Sequence, residues 1–434
     1  MKSIFKCRPA ATAVALVALF LGRSPQHNYT PEQQAYNAGL VDKFVEFAGR
    51  TKTTNPPCEF GLGKKVVMGY YDGNTVTALW NYAQHFAMSD NFYQTTFGSF
   101  APGHINLISG QTHGLRVVSV RDAGELSEQL IEGTMIANLR PALEDCFTAG
   151  ENLAEMTGRN VGDLLNATGI TWGWFQGGFR PTARNADGTV VCDAQHTSVS
   201  GSTEFDYTPR HEPFQYYAST ANPHHLSPTS VAMIGHTDQA NQQYDLSDFW
   251  AAANAGNLPA VSFLKAASYQ DGTAEDSDPL DEQTFLVNTI NALQKLPQWP
   301  QMAVIITYDE SGGWYDHVMP PIVSQSNTTA DGLTGPGSCG VAPTGAYQGR
   351  CGYGPRVPLL VISPWAKINF VDHQVTDQAS ILRFIEDNWG LGRIGDQSFD
   401  EKAGSLLNMF DFTRGPREET VFLDPSTGQV VAID

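Results

Sequence analysis

The sequence predicts an α/β fold with a mainly parallel central sheet and helices on both faces. Three observations predict it. Short, strongly apolar runs at residues 260–264, 302–308 and 358–362 read as buried strands. Residues 246–255, 282–296 and 377–389 carry the spacing of amphipathic helices, and strands alternating with helices build parallel sheets. A chain of 434 residues that is 41% hydrophobic and 16% charged can also bury a large core.

In chain order, Lys2, Lys6 and Arg8 precede an uncharged apolar run over residues 9–22. This is the pattern of an export signal, and the run is short for a transmembrane span. The following Leu21-Gly22-Arg23-Ser24 lacks a small-x-small cleavage pattern, so a noncleaved anchor is the alternative. Residues 1–24 are therefore assigned to a signal-like segment and 25–434 to a single domain, and the protein is expected to be exported, periplasmic or secreted.

Thr30-Pro31-Glu32-Gln33 places a capping residue, a proline and a glutamine where a helix should open, and the helix is expected to run to about Phe47. Asp72-Gly73-Asn74 marks a turn, residues 75–87 read as helix, 91–97 as strand, and His104 should begin another helix. Residues 183–235 are rich in Gly, Asn, Asp, Ser and Thr and read as a loop-rich insertion.

Removal of the signal-like segment would leave five cysteines: Cys58, Cys146, Cys192, Cys339 and Cys351. Cys339 and Cys351 bracket a Gly- and Pro-rich loop and suit a local disulfide, while sequence alone leaves the Cys146–Cys192 pairing open. The net charge of −19 repels nucleic acid, so no nucleic-acid partner is expected.

The sharpest chemical signal runs from Ala303 to His317. A buried strand delivers Asp309 and Glu310 at its carboxyl end, where α/β sheets place their ligands. Gly312-Gly313 then permits a tight turn that could return Asp316 and His317 to the same point. Carboxylates and imidazole are what a divalent metal in a hydrolytic site requires. His211, His224-His225 and His373 form a second set on separate loops that could converge on one cleft.

Several ordered motifs carry a specific resemblance: Thr30-Pro-Glu-Gln-Gln-Ala-Tyr-Asn, Gly69-Tyr-Tyr-Asp-Gly, Asn106-Leu-Ile-Ser-Gly, His211-Glu-Pro-Phe-Gln-Tyr-Tyr, Tyr308-Asp-Glu-Ser-Gly-Gly-Trp-Tyr-Asp-His and Gly354-Pro-Arg-Val-Pro-Leu-Leu-Val-Ile-Ser-Pro-Trp. From about residue 26 onward the chain resembles the bacterial phosphoesterase family of phospholipases C and acid phosphatases. The resemblance implies an alkaline-phosphatase-like sandwich and a hydroxyl nucleophile beside a divalent metal. Asp309 and Glu310 match the family's metal-binding pair, and His211 and His27 its phosphate-site histidines. Hard oxygen ligands favour calcium or magnesium, and a histidine ligand would admit zinc or iron.

This sequence also departs from the family's pattern. No strand ending in a Glu-Asn metal-binding pair is present, and its loss would leave a sheet edge open. Where the family has a Gly-Pro-Ser-Thr-Pro-Gly-like nucleophile segment, this chain reads Gly98-Ser99-Phe100-Ala101-Pro102-Gly103. Phe100 holds the hydroxyl position and Ser99 is the nearest substitute. Thr273 stands where a further histidine is expected, and the usual His-His pair is Arg210-His211. The expected function is an exported phosphoric ester hydrolase acting on a phosphoester or phospholipid, with transient membrane-surface contact. Its catalytic residues would be Ser99, His211, His27 and His317. The alternative is a noncatalytic member that at most binds phosphoesters.

Overall fold

Helix α1, Tyr29–Tyr36, starts and stops on different signals from those the sequence suggests. Its N-cap position is Asn28, and Asn37 ends it in the left-handed conformation at φ 42°. Thr30 and Gln33 form no capping box: the Thr30 hydroxyl donates to the Ala330 carbonyl, and the Gln33 carbonyl accepts from the Gly332 and Leu333 amides. Tertiary contacts use the polar groups that a local cap would have used. The computed structural model describes residues 25–49, 67–146, 150–274, 276–335 and 338–434. The signal-like run, Cys7 and Cys58 lie outside these residues.

The next helices keep their predicted places with shifted ends, except the one at Val161–Thr168, which the sequence did not predict. α2 is Thr77–His85, preceded by the Asp72 turn, whose carboxylate accepts the Asn74 and Thr75 amides. α3, Phe100–Ser109, begins four residues before His104, because Pro102 sits in the first turn, where its missing N–H costs nothing. α4 is Val161–Thr168, α5 Leu246–Asn254, α6 Pro279–Leu293 and α7 Gln378–Trp389. Asp245, Asp278 and Asp377 cap the last three with their carboxylates.

Among the described residues the largest sheet has four strands. They are β1 (Ala87–Ser89), β5 (Val304–Thr307), β6 (Leu359–Ile362) and β7 (Phe370–Asp372), in the order β5-β6-β1-β7. β5 with β6 and β6 with β1 are antiparallel, and only β1 with β7 is parallel. The mainly parallel central sheet expected from the sequence is therefore not observed. Among the described residues no crossover helix joins β5 to β6 or β6 to β7, and a chain returning without one reverses direction. A second sheet of β2 (Trp172–Gln176), β3 (Gln243–Asp245) and β4 (Val261–Lys265), ordered β3-β2-β4, is wholly parallel, with α5 as its crossover.

The predicted strand over 91–97 shrinks to Phe92–Tyr93, paired with Thr376–Asp377. Beyond it the backbone binds loop residues instead, with Phe97 N–H donating to Cys351 O and Gly98 N–H to the Glu32 carboxylate. The region around 183–235 holds two short hairpins and single 3-10 turns. Cys146–Cys192 and Cys339–Cys351 are both joined, with Cα separations of 5.7 and 5.5 Å. No helix among the described residues is long and apolar enough to cross a membrane.

Candidate active site

Two strands end at the same place. β4 terminates in Lys265, and β5 leads into Tyr308-Asp309-Glu310. Lys265 Nζ lies 3.3 Å from Asp271 Oδ2, and His211 Nδ1 lies 3.4 Å from that same oxygen. Asp309 Oδ2 is 3.3 Å from His104 Nδ1, and the rings of His104 and His211 stack with centroids 5.2 Å apart. His104, Lys265, Asp271 and Asp309 line one end of a cavity of about 770 Å³.

Local sequence explains the placement. Gly103 lets α3 touch the end of β5, since a Cβ there would lie 1.9 Å from the Asp309 carbonyl oxygen. One residue on, His104 meets the Asp309 carboxylate. Its Nδ1 also lies 2.9 Å from the Phe100 carbonyl, so Nδ1 carries the proton and Nε2 is an acceptor. Glu32 holds the two site loops together: its carboxylate accepts the Gly98 N–H and the Ser311 hydroxyl. Gln94 repeats the link, accepting the Ser311 N–H and donating to Gly98 O.

Electrostatics fixes the protonation states. Burial pushes the His104 imidazole down to about 3 and also lowers His211, so both rings are neutral at pH 7. Burial opposes charge on Asp309 and Asp271 as well. Even so, His104 and Lys265 hold Asp309 below the usual carboxylate range, and Lys265 and His211 do the same for Asp271. Those acids in turn raise the Lys265 ammonium against its burial. Burial pushes Glu282, which accepts the Tyr308 hydroxyl, up to about 7. One ammonium against two ionised carboxylates leaves the pocket net negative.

The predicted site residues separate into two groups. His211 and Asp309 belong to the cluster. The Glu310 carboxylate accepts the Gly312 N–H at 2.7 Å. Ser99 is the N-cap residue of α3, but it does not line the cavity; its hydroxyl, fully buried, bonds Asn28 Oδ1 at 3.0 Å and the His27 carbonyl at 3.4 Å. The His27 ring nitrogen Nδ1 turns to Pro25 O.

His317 is not brought to the cluster. Its side chain is 75% exposed and faces Asp316, which Arg356 grips through both carboxylate oxygens. The double glycine returns the chain to that ion pair instead. The proposed histidine convergence fails similarly: His225 is buried against Glu144, His224 lies on Asp145 and His373 on Asp90.

The sequence reading missed His104, Lys265 and Asp271. Lys265 carried a signal, as a charge closing an apolar strand is out of place unless it meets an acid. Phe100 also contributes: its ring meets the His211 ring edge-on at 4.8 Å, with the Arg210 guanidinium 5.4 Å above it.

A divalent ion is the cofactor class that would offset the negative pocket and admit a phosphoester. The donor atoms do not fit one as arranged. Among the described residues, ligand atoms of three acid, histidine or cysteine side chains converge only at Cys146–Cys192–His225 and Asp331–Cys339–Cys351, where disulfides consume the sulfurs. Asp309 has a protonated imidazole nitrogen against it, and Glu310 is engaged by its own turn.

The model of the phosphoesterase family matches residues 6–392. Phospholipase C B of Mycobacterium tuberculosis is 32% identical over 412 residues, covering 94% of this chain and 68% of that protein. Non-hemolytic phospholipase C of Pseudomonas aeruginosa is 26% identical over 309 residues, 57% of this chain and 44% of that protein. The protein of that name from Burkholderia pseudomallei is 38% identical over 137 residues, 30% of this chain and 19% of its own. The chain thus spans less than half the length of two of these relatives. A solved alkaline phosphatase superfamily protein from Vibrio parahaemolyticus aligns over 80% of this chain and 67% of its own, at 11% identity and a TM-score of 0.30, too low to assign the fold.

Proposed function

Since the chain belongs to the phosphoesterase family, we propose that it hydrolyses phosphoric esters of phospholipid or small phosphoester type at the Asp309 end of the cavity. One observation carries this reading. His104, His211, Lys265, Asp271 and Asp309 come from five separate chain segments and meet at the carboxyl ends of β4 and β5. In this reading the Lys265 ammonium stabilises the phosphoryl oxygens, and the neutral His104 offers Nε2 to a hydroxyl proton. Ser99, at the positive end of α3, is the candidate nucleophile, and it acts only after leaving Asn28. Asp309 and Glu310 are the residues a divalent ion would use, with further donors required, so no step here runs through one.

Export is part of the same reading. The basic-then-apolar start and the two disulfides support a periplasmic or secreted location, and an apolar-tailed substrate would bring transient membrane contact.

A specific observation favours a second reading, that of a member that binds phosphoesters without turnover. Phe100 fills the space beside His211, while Ser99 stays outside the cavity. Hydrolysis of para-nitrophenyl phosphate and para-nitrophenyl phosphorylcholine by the purified protein separates the two, with and without chelator and added divalent ions, beside Asp309→Ala. Turnover lost in Asp309→Ala establishes the first reading, and its loss on chelation adds a metal requirement. No turnover from folded protein under any ion establishes the second.

A further inference from the structure

A second cavity, of about 270 Å³, shares no lining residue with the one at Asp309. Its two cations, Arg350 and Lys402, both lie against the Phe399 ring. The Arg350 guanidinium carbon is 4.7 Å from the ring centre and Lys402 Nζ is 5.5 Å from it. No acid lines the cavity, although the chain as a whole carries a net charge of −19. Among the described residues neither cation forms a salt bridge. Asp396, whose charge acts on Arg350 from a distance, is bound to His113 and Tyr347 instead, and Glu401, which acts on Lys402, points to solvent.

Arg350 is only 3% exposed, and its five N–H groups find three partners. Nη1 donates to Gln397 O at 2.8 Å and lies 3.4 Å from His113 Nδ1, while Nη2 donates to Gly110 O at 2.9 Å. Nε has no partner among the described residues. Gly110 closes α3, so the guanidinium is fixed at the helix's negative end, six residues or about 9 Å along the axis from His104. A buried guanidinium with an unpaired donor is costly, and a second cation beside it adds to the cost. Burial pushes Arg350 down to about 10, and burial together with the Arg350 charge lowers the Lys402 ammonium. An anion held between them offsets both effects.

We propose that this cavity binds a small phosphate-type dianion, inorganic phosphate or a compact phosphomonoester, between Arg350 and Lys402. A guanidinium and an ammonium together match the charge and the several oxygens of such a group. Ser324, Thr344 and Gln325 add hydroxyl and amide groups to the walls. The volume lies below the about 300–1,000 Å³ of sites that enclose larger organic ligands, so an intact phospholipid does not fit. This inference does not depend on whether the Asp309 site turns over phosphoesters.

Titration calorimetry of the full chain tests it, with inorganic phosphate in one arm and aminoethylphosphonate, a non-hydrolysable stand-in for a phosphomonoester, in the other, at an ionic strength held constant with chloride. Binding should weaken roughly tenfold or more in Lys402→Glu and stay within about threefold in Lys402→Arg. The arm that binds more tightly identifies the source of the phosphate group. In the parent protein the bound anion should also slow acetylation of Lys402, read by peptide mass, and leave Lys295 unaffected. That measurement needs no variant and decides the matter if Lys402→Glu fails to fold. Binding unchanged in Lys402→Glu belongs to the Asp309 cavity or elsewhere and overturns the proposal. So does acetylation of Lys402 at the same rate with and without the anion, or the absence of binding in both arms.

Discussion

A Cβ on Gly103 would lie 1.9 Å from the carbonyl oxygen of Asp309, so α3 and the end of β5 meet backbone to backbone. That contact holds His104 against the Asp309 carboxylate, and Gln378 Nε2 secures the same carbonyl at 2.6 Å. Gly103→Ala must push the two apart. It should destabilise the protein by about 1–3 kcal/mol, the usual cost of overpacking, and lower hydrolysis at least tenfold. Urea unfolding and para-nitrophenyl phosphate turnover check this. An unchanged midpoint would show that the contact is looser than described.

Lys265 is the cation that keeps two buried acids ionised. Lys265→Met preserves the length of the side chain and leaves Asp271 and Asp309 without their ammonium. Breaking such a pair from one side costs about 3–5 kcal/mol at neutral pH. The sign with pH follows from the two depressed carboxyls. Their stabilisation is present above the unfolded carboxylate pKa of about 3.9 and is lost as pH falls towards their lower folded values. Without Lys265 those folded values rise, so the deficit should be largest at pH 7 and shrink below pH 4. Denaturation midpoints at pH 3.5, 5 and 7 measure it. A deficit independent of pH would mean that lost packing, not charge, is responsible.

Local patterns in the sequence located much of the fold. α5, α6, α7, β4, β5 and β6 lie within a few residues of their predicted positions because capping carboxylates and apolar runs act locally. Strand direction was not legible, since it depends on how the long connection between β5 and β6 returns. Within the site, Asp309 was legible from the end of its strand. His104 was not, because its role arises from the Gly103 contact 206 positions away in sequence, and no spacing rule reports that. His317 was misread for the converse reason: the glycine turn is present, but Arg356 draws Asp316, and His317 with it, to a different point.

Phe100 stands where the family resemblance would place the nucleophile's hydroxyl, with its ring 4.8 Å from that of His211. Phe100→Ser places an oxygen on the first residue of α3, facing the histidine. The variant should raise para-nitrophenyl phosphate turnover at least tenfold over the parent. It should also form a phosphorylated adduct at position 100, trapped by acid quench and located by peptide mass. Loss of the ring should cost about 1–3 kcal/mol, less than a fully enclosed Phe because Phe100 is only partly buried. A folded variant with no gain in turnover and no adduct would show that more than the hydroxyl is missing.

Glu282 gives the protein a pH dependence of the opposite sign from Lys265 and its acids. Burial raises its carboxyl to about 7, the nearby Asp271 adds to the rise, and the Tyr308 hydroxyl and Lys265 work against it. An unfolded glutamate ionises near pH 4.3. Between these two values the folded protein holds a proton that the unfolded chain has released. Stability from this group is therefore complete below about pH 4.3 and declines as pH rises through about 7. Asp377, also raised to about 7 by burial, contributes the same slope from the cap of α7. Glu282→Gln should flatten part of the decline measured by urea unfolding from pH 5 to 8, and adding Asp377→Asn should flatten more. If Glu282→Gln loses stability with pH as steeply as the parent, Glu282 is already ionised in the folded protein, and the negative charge of the pocket is larger than the two aspartates alone provide.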